Sequence, residues 1–101
     1  MFSRYTNGAN MKYKIKVRKV NREDQIAECF NNDIEQDEYN IHLNLLIEDI
    51  SNKRIIDKVS LDDNIISIET PLKENELLEE LKKLFGRELC YINYIDINQI
   101  A

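Results

Sequence analysis

Little in this sequence is suited to chemistry. Two glycines in 101 residues cannot supply the Gly-rich loops that cradle phosphates through backbone N–H groups. One histidine and two distant cysteines cannot assemble the four-ligand sets of the common structural zinc sites. Two cysteines are also too few for a disulfide scaffold, so Cys29 and Cys90 are expected as reduced, half-buried thiols. No apolar run approaches the ~20 residues that span a bilayer. Residues 1–10 lack the apolar stretch of ~7–15 residues that marks a secretory signal. The expectation is a cytoplasmic protein with no cofactor, no metal and no membrane contact.

What is present is ordinary for a folded domain: 43% hydrophobic and 33% charged residues, enough for one core but not two. Residues 11–101 are read as a single α+β domain. Residues 1–10 are polar and aperiodic, and read as a flexible leader or tag. Fifteen Ile, twelve Asn and nine Lys against five Arg point to an AT-rich gene, as in a low-GC bacterium, its phage or mobile elements, or an AT-rich eukaryotic parasite.

Charge is segregated along the chain. Residues 1–20 carry +6, residues 21–51 carry −8, residues 52–60 carry +2, residues 61–80 carry −6 and residues 81–101 carry +1, for a net −5. Folding can cancel these blocks or leave two faces of opposite sign.

Residues 12–20 alternate with period two, Tyr13, Ile15 and Val17 against Lys12, Lys14, Lys16 and Arg18, as in a half-buried strand. Residues 22–31 switch to helical spacing, with Asn21 as cap and Glu23 and Asp24 in the first turn. Residues 33–38 form an acidic connector. Residues 39–50 alternate again, with Ile41, Leu43, Leu45 and Ile47 inward, although Leu46 breaks the outward face. The turn at 51–53 and the run 54–61 complete a hairpin, and 65–69 is a further short strand. Thr70 and Pro71 open a helix over 71–85, with Leu77, Leu78, Leu81, Leu84 and Phe85 on one face and Gly86 beyond its end. Residues 88–97 are a strand apolar on both sides.

The order β-α-β-β-(β)-α-β resembles the split β-α-β arrangement of ferredoxin-like folds. It implies an antiparallel sheet of four or five strands with two helices on one face, and 12–20 and 54–61 as central strands. A plain antiparallel sheet packed on the 71–85 helix is the rival arrangement.

The candidate sites are few. A calcium loop counted from Asp33 requires Gly at its sixth position and Glu at its twelfth; the chain has Glu38 and Asn44 there. His42 has no nucleophile or acid in a recognisable motif with it. Cys90 lies in an apolar run, where a thiol pKa rises rather than falls. The Leu stripe of 77–85 spans barely two heptads, short of the ~3–4 that a coiled coil needs.

Charge therefore carries the functional reading. It is a non-enzymatic, small acidic protein-binding module, an inhibitor from a phage or mobile element. It docks on a basic surface of a larger nucleic-acid-handling protein through Asp33, Glu35, Asp37, Glu38, Glu74, Glu76, Glu79 and Glu80. The alternative is a single-strand nucleic-acid binder using Lys12, Lys14, Lys16 and Arg18, with Tyr91 and Tyr94 as stacking platforms. A homodimer formed by an uncovered strand, 39–50 or 88–97, is also open.

Overall fold

The computed structural model describes residues 10–24, 29 and 33–100. It is an α+β fold in the order β1 (Met11–Lys19), a 3-10 turn (Arg22–Asp24), α1 (Gln36–Ser51), β2 (Lys58–Asp62), β3 (Ile65–Thr70), α2 (Glu74–Arg87) and β4 (Ile92–Gln99). The four strands form one sheet in the order β2-β3-β1-β4, and every neighbouring pair is antiparallel. This is the strand order of a split β-α-β sheet.

β1 forms as its alternation dictates. Tyr13, Ile15 and Val17 are buried, while Lys12, Lys14 and Lys16 are exposed. Both helices pack on the buried side. Ile66 and Ile68 of β3 join the core with Tyr39, Leu43, Leu46 and Ile50 of α1 and Leu77, Leu81 and Leu84 of α2. The opposite face of the sheet is bare.

Residues 39–50 are not a strand but most of α1. Tyr39, Leu43, Leu46 and Ile50 are buried, and their spacing of four, three and four is that of one helical face. The alternation arises because two large apolar side chains point outward: Ile41 is 59% exposed and Leu45 45%. Asp37 and Glu38 occupy the first turn, where acids oppose the helix dipole favourably. Asn52 closes the end, its N–H donating to the Glu48 carbonyl at 3.1 Å. The helix expected at 22–31 appears only as the 3-10 turn; its remainder, Cys29 apart, lies outside the described residues.

The hairpin also shifts along the chain. Its strands are β2 and β3, joined through Asp63 and Asn64, with Asp63 at φ 57°, a left-handed value that Asp tolerates. Residues 54–61 therefore supply an edge strand, not a central one. β3 takes the central place because Ile66, Ile68 and Thr70 are fully buried. Thr70 ends β3 and does not cap a helix. Its hydroxyl donates to the Ile55 carbonyl at 2.7 Å and accepts the Leu72 N–H at 3.3 Å. α2 starts at Glu74, with the Lys73 N–H donating to Glu76 at 2.9 Å. Gly86 lies inside α2, and Glu88 follows its last turn.

Neither thiol is free. Cys29 and Cys90 form a disulfide with Cα atoms 5.5 Å apart, and Cys90 lies in the turn before β4.

Two stability predictions follow from α1 and the disulfide. Leu46→Ala lowers the urea-unfolding stability by about 2–5 kcal/mol, whereas Leu45→Ala changes it by no more than about 0.5 kcal/mol; a strand at 39–50 reverses that ranking. Loop closure over 61 residues makes the disulfide worth up to about 4 kcal/mol. Cys29→Ser/Cys90→Ser should therefore lower the urea midpoint substantially in non-reducing buffer, and a midpoint equal to that of the native chain contradicts the link.

Candidate functional site

The helices run antiparallel. His42, near the start of α1, meets Glu88 just beyond α2, while Lys53, just beyond α1, meets Glu80 at 3.4 Å. This geometry separates the two acidic groups. Asp33, Glu35, Asp37 and Glu38 stand at the start of α1, and Glu74, Glu76, Glu79 and Glu80 on the first half of α2. At 1.5 Å per residue, about 20 Å of helix axis lies between Glu38 and the level of Lys53. All eight carboxylates are on exposed residues, but they form two clusters, not one patch.

The α1 cluster is extended by the β2–β3 turn. Tyr39 donates its hydroxyl to Asn64 Oδ1 at 2.8 Å, and the Asn64 carbonyl accepts the Val17 N–H at 3.0 Å. Asp62 and Asp63 are thus held beside the start of α1. Burial, reinforced by the Asp63 carboxylate, pushes the Tyr39 phenol up to about 12. A polar recess of about 590 Å³ opens there, lined by Gln36, Asn40, Asn44, Asp63 and Asn64 with Leu43 and Leu61.

The second cluster borders an apolar surface. Leu78, Leu81 and Phe85 of α2 and Tyr94 of β4 line a recess of about 360 Å³, with Glu79 and Lys82 at its margin. Phe85 and Tyr94 meet edge to face, centroids 5.6 Å apart. Tyr94 is 43% exposed, and the adjoining Ile95 51%. Burial, with Asp96 and Glu74, raises the Tyr94 phenol. Leu78 and Phe85 are surplus to the stripe of Leu77, Leu81 and Leu84 that faces the core. That surplus was the signal in the sequence for this recess.

Lys12, Lys14 and Lys16 do project together from the bare face of the sheet, with Arg18 half-buried at the far end. No carboxylate of the described residues lies within ion-pair distance of those three lysines. The surroundings are nevertheless mixed. Lys12 pairs across to Glu69, which pairs in turn with Lys58, and Lys16 is opposite Asp96. Tyr91 and Tyr94 are not on this face. Tyr94 is opposite Val17, on the helix side, and Tyr91 stacks on the His42 ring, centroids 3.6 Å apart.

His42 acquires a partner that no sequence motif announced. Its Nδ1 lies 2.6 Å from Glu88 Oε1. The ring is covered by Tyr91 and lines none of the recesses described above. The turn Glu88–Tyr91 thus gathers the ion pair, the ring stack and the disulfide into one structural knot. Among the described residues no group of three or more His, Cys, Asp or Glu is placed to hold a metal ion, and no helix is long and apolar enough to cross a membrane.

No protein-family model matches this chain, and no curated protein or solved structure is significantly similar to it.

Tyr39 sets an alkaline limit. Its folded pKa lies above the unfolded value, so its contribution is complete below pH 10 and disappears as pH rises through about 12. Unfolding midpoints measured from pH 9 to 12.5 should fall, and Tyr39→Phe should make that fall shallower while costing about 1 kcal/mol at neutral pH through the lost hydrogen bond. An identical slope in the variant contradicts this role.

Proposed function

We propose that this chain is a non-enzymatic protein-binding module that docks through α2 and the β4 edge. The observation that carries the reading is the apolar recess beside Tyr94, on the helix whose outer surface bears Glu74, Glu76, Glu79 and Glu80. Protein interfaces combine an apolar centre, often aromatic, with a polar rim, and both are present here. The partner that fits offers an apolar anchor set among cations. A surface that otherwise holds a nucleic acid has that character, so the module acts as an inhibitor of a larger nucleic-acid-handling protein, carried by a phage or mobile element and working in the cytoplasm. The carboxylates at 33–38 lie too far along the helix layer to share a small footprint with α2. They contribute long-range steering instead.

A second reading, nucleic-acid binding on the sheet face, draws on the three adjacent lysines without ion pairs. Glu69 and Asp96 among them, and aromatic rings on the other side, weigh against it. An oligonucleotide gel shift that weakens steeply with salt would favour it.

The docking reading is tested by affinity capture from host extract, with partners identified by mass spectrometry. A partner held by the native chain should be lost by Tyr94→Asp and by the combined Glu74→Lys, Glu76→Lys, Glu79→Lys, Glu80→Lys variant. A partner held equally by both variants rules this surface out.

A further inference from the structure

The β4 edge has a polarity that identifies what it accepts. The Ile100 N–H donates inward to the Lys12 carbonyl at 2.7 Å. Asn98 and Asp96 are opposite Lys14 and Lys16, so by the alternation of antiparallel ladders they share that inward direction. The backbone groups of Ile97 and Gln99 then point away from the sheet, at a terminal strand. An open edge is normally blunted by shortness, Lys or Pro. β2 follows that rule, with five residues flanked by Lys58 and Asp62. β4 does not: its eight residues contain no Lys, Arg, Glu or Pro and one charge, Asp96. The bulge at Ile95 interrupts it but leaves 96–99 regular.

Resting on the docking reading above, we infer that β4 captures an extended segment of the partner as a fifth strand, one that alternates apolar and basic side chains. A strand laid beside β4 sends successive side chains to opposite faces. On the helix side they meet Tyr94, Phe85 and Leu78, which suits apolar residues. On the bare side they meet Asp96, which suits Lys or Arg. A second copy fits poorly. Its β4 would bring Asp96 toward Asp96 and an acidic α2 toward an acidic α2, between chains of net charge −5.

The probe is a capped eight-residue peptide alternating Val and Lys, titrated into the ¹⁵N-labelled full chain. Two twins of the peptide are N-methylated on one or the other alternate set of amides. We expect saturable shifts centred on the Ile97 and Gln99 amides and on Tyr94. One twin should bind like the parent and the other at least tenfold more weakly, because only one set of amides faces β4. Absence of shifts at millimolar peptide, shifts centred on Lys12–Lys16, or two twins that bind like the parent overturn strand capture. In the last case the Tyr94 recess still docks a partner, so the two readings fail separately. Sedimentation showing that the chain alone dimerises, with Ile97 and Gln99 at the contact, overturns it in favour of a second copy.

Discussion

A strand with lysine at every second position can be buried on one side only. Taking an ammonium group out of water costs several kcal/mol unless it is paired, so Lys12, Lys14 and Lys16 hold one face of the sheet open. Both helices must then share the face of Tyr13, Ile15 and Val17. Lying side by side there, they run antiparallel and place their carboxylates on the layer opposite the lysines. The sidedness of the molecule follows from β1 more than from any pairing of charges. The two ion pairs among the described residues, His42–Glu88 and Lys53–Glu80, tie helix ends together and do not cross between the two surfaces.

Where one periodicity dominates a segment, the sequence was sufficient. β1, β3 and α2 are legible to within a few residues, and so is the overall order. α1 was not legible, because Ile41 and Leu45 face solvent and superimpose a period of two on a helical stripe. That misreading moved the hairpin, which in turn exchanged the edge and central strands. The disulfide was invisible for a different reason. Nothing in the spacing of Cys29 and Cys90 specifies a link, which depends on where the turn before β4 falls.

The candidate site divides the same way. Which side chains are charged and exposed can be read from composition and period, and all eight predicted carboxylates are indeed on exposed residues. Their arrangement cannot, since it is set by helix direction. Tyr91 and Tyr94 illustrate the point. Three residues apart in an apolar run, they look like a pair, yet one covers His42 and the other Phe85. The recess and the open edge emerge only once β4 is known to be terminal and α2 is known to lie over it.

The most direct measurement is amide hydrogen exchange, residue by residue, along 96–100 of the isolated chain. An open β4 edge gives alternation, slow at Asn98 and Ile100, whose N–H groups face β1, and fast at Ile97 and Gln99. Uniformly slow exchange through all of these amides would mean that the edge is already covered, and the sided, open-edged molecule described here would be wrong.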